Sequence, residues 1–237
     1  MTSISSIPYR DRQSAGQFLA DKLRQQTGQP GLCVLALPRG GVPVAIEVAR
    51  VLQAPLDVFL VRRLAMPSQP SVTIGAIASG GVCVLNSDIL QENGIRTSDI
   101  DEAVENERAK LERLERIYRG ERPPLSVRGR PVLLIDDGLP QATNMRAAIA
   151  ALRTQSPLSI GVAVPVGSRE ACEQIAAETE DFICPRTPEP FYAVGLSYDK
   201  FPQLTDEEVR ELIEKEEQRI SSESVFAGDP HLHSGVF

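Results

Sequence analysis

A short apolar segment that leads through a tight turn into a helix occurs twice in this chain, and it constrains the fold more than any other feature. Residues 32–37 (LCVLAL) run through PRGG into VPVAIEVARVLQ, and residues 131–135 (PVLLI) run through a turn into an alanine-rich helix from about Asn144. Both strands are apolar throughout, which is typical of strands buried on both faces of a parallel sheet. The pattern predicts an α/β fold with a twisted, mainly parallel sheet flanked by helices.

The other predicted elements continue this alternation, and residues 1–220 are predicted to form one domain followed by a disordered tail over 221–237. Residues 62–71 are basic and contain proline, so they are predicted as a loop. The remaining predicted elements are a helix over 11–25, a strand over 56–61, a hairpin of 72–78 and 82–86, a long helix over 98–119 capped by Ser98, a strand over 158–166, a helix over 169–179, a short strand from Asp181, and a C-terminal helix opened by a capping box of Thr205 and Glu208.

Composition excludes several classes of function. The formal net charge is −7, and there is no cluster of Lys and Arg, so we expect no nucleic-acid binding. The sequence contains no apolar run long enough to span a membrane, and its first residues, MTSISSIPYRDR, lack the apolar centre of a signal peptide. We therefore expect a cytoplasmic protein without membrane contact. A hydrolase of the α/β class is not favoured, because no G-x-S-x-G turn is present.

The turn Pro38-Arg39-Gly40-Gly41 follows the first buried strand and precedes a helix. Anions bind at such places in open α/β sheets, because helix N-termini present free N–H groups. The two glycines allow the backbone to approach an anion, and Arg39 adds a charge that can hold phosphate oxygens. A turn that merely needs glycines with positive φ explains the same residues, so both interpretations stay open.

Asp136 and Asp137 end the second buried strand. Adjacent carboxylates repel each other unless a metal ion, ribose hydroxyls or cationic groups offset their charge. This pair therefore indicates a site for a metal or a polyhydroxyl ligand. The alternative is that one Asp caps the following turn and the other points to solvent.

These residues resemble the type I phosphoribosyltransferases of bacteria and archaea. The resemblance is carried by VLALPRGGVPVAIEVA, by a strand that ends in Arg62 and Arg63, and by VLLIDDG with MRAAI, and it continues through YRDRQSAGQFLADKL and PFYAVGLSYDKFPQLTDEEV. It implies the type I phosphoribosyltransferase fold, with a small hood and a helical insertion at 98–119. It also implies a site for 5-phosphoribosyl-1-pyrophosphate (PRPP), and a homodimer.

The resemblance implies a role for each loop. The first loop, which in relatives often contains a non-proline cis peptide bond, would bind pyrophosphate through Arg39, Gly40 and Gly41, assisted by Arg62 and Arg63. Asp136 and Asp137 would hold the ribose hydroxyls directly or through Mg²⁺, and with Arg39 they would form the catalytic centre. Residues 64–73 would form a lid. The loop implied to cradle the 5′-phosphate consists of Gly138, Leu139, Pro140, Gln141, Ala142, Thr143 and Asn144.

That phosphate loop departs from the family pattern D-D-G-I-A-T-G-A-T-M. Gln141, Ala142 and Asn144 replace a Thr, a Gly and a Thr, which removes two hydroxyl donors, and Pro140 contributes no N–H. Two functions therefore remain open. One is the transfer of phosphoribosyl from PRPP to a nitrogenous base with Mg²⁺. The other is a catalytically inactive protein of the same fold that binds a nucleotide, a phosphate ligand or a protein partner in a regulatory role.

Overall fold

The computed structural model describes residues 7–66, 69–86, 89–90 and 97–227. Helices and strands are numbered along the chain. The helices are α1 (Arg12–Lys22), α2 (Gly41–Leu52), α3 (Thr97–Arg119), α4 (Thr143–Thr154), α5 (Arg169–Ala176) and α6 (Asp206–Ala227), and the strands are β1 (Cys33–Ala36), β2 (Leu56–Val58), β3 (Val61–Met66), β4 (Gln69–Ala78), β5 (Val82–Leu85), β6 (Pro131–Ile135), β7 (Ser159–Ala163) and β8 (Asp181–Ile183).

The central sheet is parallel and has five strands in the order β2-β1-β6-β7-β8, which confirms the predicted fold class. Val34 and Ala36 of β1 pack into an apolar cluster with α1, α2, α3 and α6. Leu35 of the same strand packs with α4 and α5 on the opposite face. Because successive residues of a strand point to opposite faces, a strand covered on both sides must be apolar at every position. This explains the continuous apolar runs in the sequence.

A second, antiparallel sheet is formed by β3, β4 and β5, and it is called the hood below. The predicted hairpin is confirmed as β4 and β5, which pair from Ala78 with Val82 to Gly75 with Leu85. The predicted strand over 56–61 is confirmed for Leu56–Val58, which form β2 of the central sheet, but its end is wrong, because Val61 begins β3 in the hood.

The loop predicted over 62–71 and the lid predicted over 64–73 also need correction. Apart from residues 67 and 68, which lie outside the described residues, this segment belongs to β3 and β4. Leu64 and Met66 are buried, and β3 pairs with β4 along its length. The prolines suggested a loop because proline interrupts strand patterns, but proline is tolerated near the ends of strands.

The long helix α3 packs against β3 and α6 through an apolar stripe that includes Leu111 and Tyr118. It begins at Thr97, so Ser98 lies inside the helix and not at its cap position. The predicted capping box of α6 is confirmed, since Thr205 Oγ1 accepts a hydrogen bond of 3.2 Å from the N–H of Glu208 and Glu208 Oε2 accepts one of 2.7 Å from the N–H of Thr205.

The helix α6 continues to Ala227, seven residues past the predicted end of the domain. The rest of the predicted tail, residues 228–237, lies outside the described residues. In the part of the chain that is described, no helix combines the length and the apolar character needed to cross a membrane.

Candidate functional site

Two loops lie side by side at the carboxyl ends of the neighbouring strands β1 and β6. The first loop (residues 37–41) joins β1 to α2, and the second loop (residues 138–144) leads from the aspartate pair into α4. The N–H of Leu37 donates a 2.8 Å hydrogen bond to the carbonyl of Ile135. The parallel pairing of these strands therefore brings the two predicted loops to one edge of the sheet, where ligands bind in open α/β folds.

The glycines of the first loop are required by close approach. A Cβ added at Gly40 would lie 1.9 Å from Oδ2 of Asp137, and one added at Gly41 would lie 2.6 Å from the carbonyl oxygen of Ile135. Neither glycine has a positive φ, so the alternative of a turn that merely needs glycine conformations is wrong. The peptide bond between Pro38 and Arg39 is cis. The first loop thus lies directly against the aspartate pair.

Asp136 and Asp137 are both half-buried at the end of β6, and Oδ1 of Asp136 accepts a 2.8 Å hydrogen bond from the N–H of Asp137. Burial, together with the negative charge of Asp137, raises the pKa of Asp136 well above its usual range. Oδ2 of Asp137 accepts a 2.7 Å hydrogen bond from Nε of Arg12. The alternative of one capping and one solvent-facing Asp is therefore wrong, because Asp137 pairs with a buried cation.

Arg12 of α1 is the site residue that the sequence did not predict. Its Nη1 donates a 2.7 Å hydrogen bond to the carbonyl of Pro202, and its guanidinium carbon lies 3.7 Å from the centre of the Phe201 ring. Only 9% of Arg12 is exposed. A signal for it does exist, since Arg12 lies three and seven residues before the buried Ala15 and Leu19, on the apolar face of α1.

A first cleft of about 410 Å³ opens between the first loop, the hood and α3. It holds two cations that were predicted to bind pyrophosphate. The guanidinium of Arg39 is half exposed and lies 3.9 Å from Oδ1 of Asp206, and Arg62 forms an ion pair with Glu107 of α3. The cleft therefore carries two arginines, and each of them has a carboxylate nearby.

A second cleft of about 500 Å³ contains most of the second loop, together with Arg12, Arg63, Val194 and Phe201. Asp136 and Asn144 line both clefts, which makes the two clefts neighbours across the aspartate pair. The structure separates the adjacent arginines of the hood, since Arg62 lines the first cleft and Arg63 lines the second. This separation follows from the alternation of side chains along β3.

The second loop is held by its backbone. The N–H of Leu139 donates a 2.8 Å hydrogen bond to the carbonyl of Val166, and the carbonyl of Leu139 accepts one of 2.9 Å from the N–H of Ser168. Leu139 and Ala142 are buried, whereas the other side chains from 140 to 144 are exposed. Within the described residues, no group accepts a hydrogen bond from the backbone N–H groups of Gln141, Ala142, Thr143 and Asn144.

Comparison with known proteins assigns this arrangement to a family. The profile of the Phosphoribosyl transferase domain matches residues 10–191, which include both loops and the hood. The chain belongs to the phosphoribosyltransferase family. The resemblance of the sequence to that family is thereby confirmed, along with the fold that it implied.

Relatives within the phosphoribosyltransferases include proteins from two strains of Mycobacterium tuberculosis, CDC 1551 / Oshkosh and H37Rv, whose names assign them provisionally as phosphoribosyl transferases. Each is 35% identical over 226 residues, covering 94% of this chain and 51% of the relative. The chain therefore spans about half the length of these relatives. Among solved structures, TT1426 from Thermus thermophilus is 37% identical, with a TM-score of 0.80 over 88% of this chain and 99% of that one.

Proposed function

We propose that this phosphoribosyltransferase domain transfers the phosphoribosyl group of PRPP to the nitrogen of a base and releases pyrophosphate. One observation carries the proposal. Arg39 and its glycine loop lie directly against Asp136 and Asp137, where two clefts meet. PRPP carries phosphate at both ends of a ribose. A cleft with two arginines, a carboxylate pair, and a loop whose N–H groups have no acceptor within the described residues match its three parts in order.

The proposed reaction breaks the bond between C1 of the ribose and the pyrophosphate oxygen, and the electron pair leaves with pyrophosphate. The acceptor nitrogen forms the new bond to C1 and loses its proton to solvent. Arg39 and Arg62 would stabilise the charge that develops on the leaving group. The aspartates would hold the ribose hydroxyls, which fixes C1 between the leaving group and the acceptor.

The residues at the aspartate pair fit a magnesium ion. Mg²⁺ is commonly bound through one or two carboxylates together with substrate oxygens. Asp136 and Asp137 supply such carboxylates. Within the described part of the chain, Arg12 forms an ion pair with Asp137 but not with Asp136, so the negative charge of the two aspartates is incompletely balanced. When bound here, Mg²⁺ would neutralise charge on the pyrophosphate.

A second candidate function is ligand binding without catalysis, either to a nucleotide or phosphate ligand or to a protein partner. The altered side chains of the second loop favour it, because two hydrogen bonds to phosphate at about 1.5–3 kcal/mol each are lost with the hydroxyls. The backbone N–H groups of residues 141–144, which have no acceptor in the described part of the chain, and the exposed side chains around them favour retained phosphate binding. Both candidate functions use the same site, so one experiment separates them.

The test is calorimetric titration with PRPP and Mg²⁺, followed by measurement of pyrophosphate release with a panel of nitrogenous bases. Transferase activity predicts micromolar binding of PRPP, release of pyrophosphate with at least one base, and loss of both in the variant that combines Asp136→Ala with Asp137→Ala. Binding without release for any base would support the non-catalytic function. The absence of binding would contradict the proposed transferase.

The chain is also proposed to act as a homodimer in the cytoplasm. The exposed face of α3 is the surface that we expect at the dimer contact, because its other face is covered by β3 and α6. Light scattering coupled to gel filtration measures the mass in solution. A monomeric mass of about 26 kDa, close to the 25.8 kDa of the chain, would contradict the dimer.

A further inference from the structure

The two neighbouring arginines of the hood serve different clefts. Arg62 and Arg63 are consecutive on β3, where they pair with Ile77 and Ala76 of β4. The side chain of Arg62 contacts Glu107 of α3 and lines the first cleft. The side chain of Arg63 lies on the opposite face of the strand and lines the second cleft, together with the second loop. Adjacent charges of the same type therefore face different parts of any ligand that spans both clefts.

The charges in the second cleft leave Arg63 available. The other cation there, Arg12, is occupied by Asp137 and by the carbonyl of Pro202. Within the described part of the chain, the hydrogen bond of Arg63 is the one of 3.0 Å from its Nη1 to Oγ1 of Thr73, a neutral group. Its side chain is exposed, and its Nε and Nη2 have no acceptor there. A guanidinium in this state can form two charge-assisted hydrogen bonds to one phosphate.

We propose that Arg63 binds the phosphomonoester end of the ligand and replaces the hydroxyl groups that the second loop lacks. Gln141, Ala142 and Asn144 provide no hydroxyl, but the backbone N–H groups from 141 to 144 have no acceptor within the described residues. The guanidinium lines the same cleft as Gln141, Thr143 and Asn144, so a phosphate bound there could meet both neutral donors and a positive charge. The inference rests on the proposed function, and it assigns Arg63 to the sugar 5-phosphate and not to pyrophosphate.

The test titrates the full chain with two separate probes, ribose 5-phosphate and inorganic pyrophosphate, each with Mg²⁺, and follows binding by phosphorus NMR. The variants are Arg63→Gln and Arg62→Gln, which remove the same charge from opposite faces of one strand. Arg24→Gln removes that charge from an exposed position after α1, outside both clefts, and is the matched control. Arg63→Lys tests whether charge alone is sufficient. Thermal melting checks that each variant is folded.

We expect Arg63→Gln to weaken the binding of ribose 5-phosphate about ten- to a hundredfold, as for the loss of a hydrogen-bonded charged group. Its effect on pyrophosphate should be under about threefold, whereas Arg62→Gln should show the reverse pattern. Arg63→Lys should recover part of the affinity, because a lysine retains the charge but not the two parallel N–H groups.

Two results would overturn the inference in distinguishable ways. If Arg63→Gln leaves ribose 5-phosphate binding at the level of Arg24→Gln, or weakens pyrophosphate binding equally, Arg63 is not the phosphomonoester residue, and the proposed function stands. If the unmodified chain binds neither ribose 5-phosphate nor PRPP, the proposed function and this inference both fail.

Discussion

The two loops of the site occupy equivalent positions after adjacent strands, but they differ in how much change they can accept. The first loop leaves no room for a Cβ at Gly40 or Gly41, because the aspartate pair and the end of β6 lie against it. The second loop is held by backbone hydrogen bonds at Leu139, and its side chains at 140, 141, 143 and 144 are exposed. Substitution at the glycines of the first loop must therefore disturb the sheet edge, whereas substitution at the exposed positions 140, 141, 143 and 144 of the second loop changes ligand contacts and leaves the fold intact.

The largest expected change in the free energy of unfolding is at Arg12, whose side chain supports the aspartate pair. Arg12→Ala leaves the half-buried carboxylate of Asp137 without its partner, so we expect the free energy of unfolding to fall by about 3 kcal/mol. The measurement is urea denaturation at pH 7. Arg10→Ala removes an exposed ion pair with Asp11 and should cost under about 1 kcal/mol. Equal losses in the two variants would contradict the role of Arg12.

Gly41→Ala tests the close packing of the first loop directly. The new Cβ would meet the backbone carbonyl of Ile135, which cannot rotate away, so we expect a loss of about 2 kcal/mol in the free energy of unfolding. Gln141→Ala in the second loop removes an exposed side chain and should change stability by less than about 0.5 kcal/mol. Thermal and urea denaturation of both variants measure the difference. If Gly41→Ala leaves the free energy of unfolding unchanged, the two loops do not differ in packing as described.

A variant with the family residues restored in the second loop sharpens the same contrast from the ligand side. Gln141→Thr, Ala142→Gly and Asn144→Thr together return the hydroxyl donors. Because Arg63 is proposed to replace much of their contribution, we expect PRPP to bind only about tenfold more tightly, a gain of about 1.4 kcal/mol. Calorimetry measures the affinity. If the native chain does not bind PRPP but this variant does, the substrate site has been lost while the fold remains. Unchanged affinity would mean that the backbone N–H groups and other donors already suffice.

A smaller change in stability is expected on substitution of Asp136, whose pKa is raised by burial and by the charge of Asp137. The folded state holds the proton of this carboxyl more firmly than the unfolded state, so its contribution to stability is present at low pH and is lost as the pH rises through the folded pKa. Asp136→Asn should therefore stabilise the metal-free protein at pH 7 by about 1 kcal/mol.

The measurement for Asp136→Asn is thermal denaturation with a chelator at several pH values. The advantage of the variant should grow from pH 4 to pH 7. A difference that is independent of pH would show that Asp136 does not titrate in the folded protein.

Much of the fold and of the candidate site could be predicted from the sequence, because the deciding patterns are local. The buried strands, the glycines before α2 and the aspartates after β6 are each visible in a few consecutive residues. The hood was harder to predict. Val61 continues the apolar run from β2 and the basic residues that follow it suggested a loop, so only pairing with β4 places residues 61–66 in a separate sheet. The glycines of the first loop were identified from the sequence, but the reason for them was not. They contact Asp137 and Ile135, which lie about a hundred residues further along the chain.

The sequence by itself determined the parallel α/β sheet, the order of its elements and the residues of both loops, because strand burial and turn chemistry are expressed locally. Only the tertiary structure decided that Arg12 pairs with Asp137 and stacks on the ring of Phe201, and that Arg62 and Arg63 line different clefts. These facts depend on which distant segments pack together and on which face of β3 is covered by α3. Such choices are made by the packing of the whole chain.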